Sequence, residues 1–254
     1  MVYIHPLLLM IPENIERIRQ RIALACNRAG RNPSEITVVA VSKTFSGAMI
    51  REAVRAGLHD IGENYVQEML GKKEELAGED IRWHFIGHLQ SNKVKYIVEW
   101  VHLTHALDNG SVARELDKRA EKAGRILDLL VEVNTTGESS KFGVQPERAI
   151  QFVRDLAAYR NIRIAGLMTI GPFLPDPEAS RPMFRQLRLL KDQIAALGQS
   201  NVSATHLSMG MTGDFEVAIE EGATLVRIGT AIFGSRKNRA ESTNNGGSHE
   251  THAA

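Results

Sequence analysis

Residues 36–44 read ITVVAVSKT. The first six, Ile36 to Val41, form an apolar, β-branched-rich run of strand length, which suits a strand buried on both faces of a parallel sheet. Ser42, Lys43 and Thr44 close the run and a helix start at Gly47 follows, so Lys43 falls at the C-terminal mouth of a βα unit. That rim is where α/β proteins keep their chemistry. Taken alone, Lys43 reads as a solvated lysine capping a strand, and it is the rest of the chain that overturns this reading.

The pattern extends in both directions from this stretch. Upstream, Ile15, Ile18, Ile22 and Cys26 fall at helical spacing, with Glu13 and Glu16 in the first turn and Gly30 beyond the end. That amphipathic helix precedes the first strand and belongs to no βα pair. Downstream, strands are expected over 59–62, 81–86, 100–105, 126–133, 162–168, 204–207 and 224–228. Helices are expected between them, over 49–56, 63–77, 91–99, 111–123, 146–159, 180–197 and 214–221. Eight strands alternating with helices argue for a closed parallel barrel, a modified (β/α)8 TIM barrel with an extra N-terminal helix, rather than an open doubly wound sheet. No GxGxxG follows the first strand and no GxxxxGK[ST] occurs, which argues against a dinucleotide fold and a P-loop.

Composition agrees with a single barrel. The 254 residues are 43% hydrophobic and 24% charged, and about 250 residues is the usual size of such a barrel. The barrel is expected over residues 11–236, with 1–10 an N-terminal extension and 237–254, rich in Asn, Gly, Ser and His, a disordered tail. A formal charge of +1 gives no bulk reason to expect nucleic acid or an anionic membrane, so the ligand is expected to be small. The apolar stretch before Pro12 is too short to span a membrane and is a poor signal peptide. One cysteine, Cys26, excludes an internal disulfide framework and points to a reducing, cytoplasmic setting.

The second chemical signal lies near the end of the chain, in LSMGMTGDFEVAI and TLVRIGTAIFG. Both stretches include a loop after a late barrel strand, and in barrels those loops commonly hold a phosphate. Ser208 and Thr230 bring hydroxyls, while Gly210, Gly213 and Gly229 bring permissive backbone; singly, each glycine is an ordinary turn residue. Arg227 stands in the otherwise apolar strand TLVRIG, where an arginine is costly unless its fork has a partner. It is expected to aim into the barrel mouth, with a structural salt bridge to Glu63 or Glu132 as the alternative. A lysine at one strand end with a phosphate cradle and an arginine at another suit a ligand carrying an aldehyde and a phosphate, and pyridoxal phosphate has both.

Other polar residues lead to weaker expectations. His84, His88, His102 and His105 are scattered over two strands and a loop with no carboxylate at a ligand spacing, so no metal is expected. His88 is placed near the pocket mouth, Lys93 and Lys95 are read as solvated helix charges, and Glu138 with Lys141 as a plain mobile loop.

The combination AVSKT, GENYVQE, WHFIGHLQSNK, GLMTIG, HLSMGMTGDFEVAI and VRIGTAIFG resembles the YggS/PROSC family of pyridoxal phosphate homeostasis proteins, related to the N-terminal barrel of alanine racemase. The resemblance runs from about Ile11 to Ser235. It implies an aldimine on Lys43, phosphate contacts from Ser208, Gly229 and Thr230, Arg227 facing the pyridine nitrogen, and Asn64 and Met168 lining the site. It also implies a monomeric carrier that stores pyridoxal phosphate or delivers it to apo-enzymes, without efficient turnover. Thr212 departs from the family's usual serine, and the chain beyond Arg236 has no counterpart. Two other functions compete. A single-domain amino-acid racemase would need bases on both faces of the substrate carbon, and none of Tyr3, Tyr65, Tyr96 and Tyr159, read as lying in the N-terminal arm or in helices, is an obvious one. A cofactor-free Schiff-base aldolase would be colourless.

Overall fold

A computed structural model describes residues 6–138, 142–172 and 174–235. Eight parallel strands close into a barrel in sequential order. They are β1 (Thr37–Val41), β2 (Asp60–Glu63), β3 (Arg82–Phe85), β4 (Leu103–Leu107), β5 (Leu127–Glu132), β6 (Ile162–Met168), β7 (Val202–Ser208) and β8 (Leu225–Ile228). Closure is made by β1 pairing with β8, which sets Val39 beside Arg227 and Ala40 beside Ile228.

Alternation along each strand divides the core in two. Val39, Leu103, Leu130, Ala165, Met168 and Leu225 form a small cluster inside the barrel. Their neighbours Ala40, Leu129, Val131 and Val226 belong instead to the large cluster between sheet and helices. Arg227, two residues from Leu225, therefore shares the inward face.

The helices are α1 (Pro6–Ala29), α2 (Gly47–Arg55), α3 (Val66–Glu75), α4 (Gly110–Lys122), α5 (Pro146–Asp155), α6 (Arg181–Ala195), α7 (Phe215–Glu220) and α8 (Thr230–Phe233). The last has four residues, too few to cover the outside of the closing strands. The extra helix α1 takes over that cover, packing on α2, α7 and α8. Ile11, Ile15, Ile18, Ile22 and Cys26 form its buried stripe. Arg31 Nη1 then ties the chain after α1 to the carbonyls of Ile219 and Ala223, each at 2.8 Å. The helix begins at Pro6, within the expected 1–10 extension, and carries Pro12 inside it at the cost of one backbone bond. Residues 1–5, Lys141 and the tail from 237 lie outside the described residues.

Three other expectations need correction. Glu63 ends β2 rather than starting a helix, and α3 begins three residues later at Val66. The expected 91–99 helix is a 3-10 turn at Ser91–Tyr96. The fourth strand is Leu103–Leu107, not 100–105. In the first case Glu63 disguised the run, because its carboxylate is paired with Lys72 between sheet and helices; in the last His105 did, because its ring is hydrogen-bonded inside the barrel to His84 and Ser208.

Candidate functional site

Lys43 stands just beyond β1, half-buried, and the backbone around it is held tightly. The next residue, Thr44, has φ 71, an outlying conformation for a β-branched residue. Its amide donates to Glu68 Oε1 at 2.5 Å, and the Phe45 amide closes the turn on the Ser42 carbonyl at 2.9 Å. Beneath the turn, the Ser42 hydroxyl donates to Glu63 Oε1, while Lys72 Nζ donates to that oxygen and to the Ser42 carbonyl. Burial pushes the Glu63 carboxyl up, and Lys72 and Ser42 pull it back.

The β1–β8 pairing brings the other half of the site to the same rim. Gly229 follows β8 directly, and a Cβ there would stand 3.2 Å from the Val41 carbonyl oxygen, so the loop into α8 passes closely by the strand that carries Lys43. Thr230 Oγ1 donates to Thr212 Oγ1 at 3.1 Å, which places two exposed hydroxyls together across the loops after β7 and β8. Gly210, at φ 90, makes the first of those loops possible, because a Cβ there would lie 2.6 Å from that of Ala218.

Arg227 is 5% exposed, and its guanidinium donates to the Ser208 hydroxyl at 2.6 Å and to the Thr169 carbonyl at 2.8 Å. Burial lowers it to about 10, opposed by Glu132 and Asp214, so it stays cationic at neutral pH. The expected alternative of an ion pair with Glu63 does not hold, since Glu63 pairs with Lys72. Glu132 ends β5 in register with Met168, which is in register with Ser208. Burial first, and Asp108 second, push its carboxyl up to about 7 against the pull of Arg227.

The residues expected at the site therefore separate into two levels. Lys43, Gly229 and Thr230 stand in the loops at the rim; Met168 and Ser208 are the last residues of β6 and β7 and Arg227 the last but one of β8, all three buried just below it. Ser208 is fully buried and its hydroxyl already serves Arg227 and His105. Asn64, after β2, is pressed on Gly87, where a Cβ would clash with the Asn64 backbone, and its Oδ1 is buried with no hydrogen-bond partner. An orphaned acceptor, an inward cation and a hydroxyl pair at one barrel mouth fit a planar, polar, phosphorylated ring.

His88 lies at the rim as expected, stacked on Phe142 at 4.0 Å with Nδ1 3.4 Å from Asp108. Tyr65 caps α3 from the loop rather than sitting in the helix, and is 64% exposed. The histidines are less scattered than their spacing suggests: ligand atoms of Asp60, His84 and His102 come within 4.8 Å of one another. The carboxylate was invisible in the local spacing because it comes from another strand. Both oxygens of Asp60 are taken by Arg82, at 2.8 and 2.6 Å, and that cation opposes a metal ion there.

The family model for the alanine racemase N-terminal domain matches residues 14–237. The pyridoxal phosphate homeostasis protein of Aquifex aeolicus is 49% identical over 225 residues, covering 89% of this chain and 98% of its own. The chain belongs to the pyridoxal phosphate homeostasis protein family. The family's Pseudomonas aeruginosa member is 43% identical over 89% of this chain and 96% of its own. PipY of Synechococcus elongatus PCC7942, solved with PLP bound, superposes with a TM-score of 0.74 at 33% identity, over 85% of this chain and 100% of its own. Family membership agrees with the barrel and its added helix. Among the described residues no helix is long and apolar enough to cross a membrane.

Sequence reasoning passed over Thr212, Asp60 and His105 as parts of the site. The signal for Thr212 was present, since it lies in the same glycine loop as Gly210 and Gly213. His105 was weighed only as a metal ligand, and no local signal marked Asp60.

Proposed function

We propose that this chain binds pyridoxal 5'-phosphate for intracellular cofactor homeostasis, and that Lys43 holds the aldehyde. The single observation that carries the assignment is the β1–β8 closure, which sets the Lys43 turn beside Gly229 and Thr230 and above inward-facing Arg227. Bound there, the cofactor would supply an aldehyde carbon for a covalent bond to an amine and an electron-withdrawing ring. Thr212 is positioned to donate to the phosphate, Thr230 to do the same by turning its proton from Thr212, and Asn64 Oδ1 to accept from a polar group on the ring or its substituents. Met168 packs beneath. Ser208 acts through Arg227 rather than on the phosphate, because its hydroxyl is committed inside the barrel.

Arg227 limits the chemistry. A guanidinium that stays protonated can donate to the ring nitrogen but does not transfer its proton, so the ring remains a weak electron sink. This supports a cytoplasmic, monomeric carrier, giving its cofactor to apo-enzymes, over a racemase. The buried free thiol of Cys26 agrees with a reducing compartment.

The test is borohydride reduction of the protein loaded with pyridoxal phosphate, followed by peptide mass spectrometry. A phosphopyridoxyl group on Lys43 is expected; label confined to another lysine sinks the assignment. The same loaded protein, incubated with L-alanine in deuterated water, should exchange its substrate Cα proton no faster than free cofactor does. Rapid D-alanine formation that depends on Lys43 would establish the racemase reading instead.

A further inference from the structure

A line of hydrogen bonds crosses the barrel interior beneath the proposed cofactor site. Arg227 Nη1 donates to Ser208 Oγ at 2.6 Å, and Ser208 Oγ lies 2.9 Å from His105 Nδ1. His105 Nε2 lies 2.9 Å from His84 Nδ1, and His84 Nε2 lies 2.9 Å from Asp60 Oδ1. Arg82 then grips Asp60 with Nε and Nη2. Five strands contribute: β8, β7, β4, β3 and β2. His84, His105, Ser208 and Arg227 are all 5% exposed or less, whereas the Arg82 side chain at the far end is 46% exposed.

With one proton on each imidazole, the donor direction of each link follows from the next. Although burial pushes the Asp60 carboxyl up, hydrogen bonds from His84 and Arg82 hold it below the usual carboxylate range, so it only accepts. His84 must then carry its proton on Nε2. Arg82 already grips both oxygens of Asp60, and with the single ring proton on Nε2 the Nδ1 atom of His84 is left as an acceptor. Burial, and with it the repulsion of Arg227, drives His105 well below its ordinary value, so it is neutral. It donates from Nε2 to His84 and accepts at Nδ1 from the Ser208 hydroxyl, whose lone pairs are left to receive Arg227. His102 and His206, both made harder to protonate by burial, flank the line, with Asp128 acting on each. Glu132 and Asp214 act on Arg227 from β5 and from the head of α7.

We propose that Asp60, His84 and His105 are positioning residues for the ligand-facing guanidinium: they polarise one tautomer through the barrel, which orients the Ser208 hydroxyl and fixes Arg227 against the ring of the cofactor. The inference rests on the pyridoxal phosphate reading above. It adds that the carboxylate setting the geometry of the site stands at the opposite end of the barrel, and that the histidines work as a pair in one donor order.

The experiment has two arms. Nitrogen-15 NMR of the cofactor-free protein, labelled at histidine, should show His84 and His105 neutral with the proton on Nε2. Asp60→Leu, which removes the acceptor, should leave both rings as mixtures of tautomers; an amide would not, because it keeps its oxygen where Arg82 Nε and His84 Nε2 both donate. Arg82→Gln, which keeps the carboxylate, should leave both tautomers as they are. The second arm titrates wild type and Asp60→Leu with pyridoxal phosphate and follows the visible band. The variant should bind about ten-fold more weakly, the equivalent of one neutral hydrogen bond, with a displaced absorption maximum.

A proton on His105 Nδ1 in the wild type overturns the proposal, and this reading needs no variant, so it stands even if Asp60→Leu does not fold. Mixed tautomers with unchanged affinity and spectrum overturn the positioning role. Unchanged tautomers in a folded Asp60→Leu protein overturn the claim that the carboxylate sets the donor order. Failure of wild type to bind pyridoxal phosphate sinks the proposed function instead, while the NMR arm still decides the direction of the line.

Discussion

Replacing Glu132 by glutamine removes a charge that the barrel mouth tolerates poorly. The carboxyl is 6% exposed and pushed up to about 7 from an ordinary 4.5, chiefly by burial and then by Asp108, with Arg227 too weak to compensate. The native state thus binds this proton more tightly than the unfolded chain does. Below pH 4.5 both states are protonated and the residue contributes no pH dependence. Between 4.5 and 7 the unfolded chain releases its proton first, so stability falls as pH rises, and above 7 the full penalty is present. A difference of about 2.5 units at about 1.4 kcal/mol each puts that penalty on the order of 3 kcal/mol. Glutamine has nearly the same shape and never ionises. Urea unfolding of the cofactor-free protein at intervals from pH 5 to 8 should show the two proteins nearly equal at the acid end. The variant should pull ahead by roughly 3 kcal/mol at the alkaline end. Parallel stability curves across that range would refute the reasoning, because they would mean that Glu132 titrates alike in both states.

Other perturbations probe the rim and its loops. Thr212→Val with Thr230→Val should weaken pyridoxal phosphate retention by orders of magnitude without unfolding, at about 1.5 to 3 kcal/mol for each charge-assisted bond, as measured by equilibrium dialysis; unchanged retention would put the phosphate elsewhere. Thr44→Gly should raise the unfolding free energy by about 0.5 to 1 kcal/mol, since glycine accepts φ 71 without a Cβ penalty, and a loss would show that the side chain is needed in the turn. Gly210→Ala should cost more than about 2 kcal/mol, by strain at φ 90 and collision with Ala218, and a thermal melt indistinguishable from wild type would count against the loop geometry.

The sequence alone determined the features that depend on local periodicity. β-branched runs such as TVVAV and apolar helical stripes such as Ile15, Ile18 and Ile22 report burial over a few residues, and their alternation through the chain specifies a parallel barrel. Lys43, Gly229 and Thr230 were legible because strand ends and glycine loops announce themselves within a short window. Only the tertiary structure decided how polar residues divide between roles. Ser208 and Thr212 lie four residues apart, at the end of β7 and in the loop after it, yet closure of the barrel turns the first inward to Arg227 and His105 and leaves the second beside Thr230. Glu63 was a candidate partner for Arg227, but Lys72 on α3 takes it, and Asp60, which no local pattern marked, pairs with Arg82 on β3. The reason is range. A hydrogen bond or ion pair such as His105 to Ser208 joins residues 103 positions apart, and no periodicity in a single chain encodes which partner the closed barrel will bring.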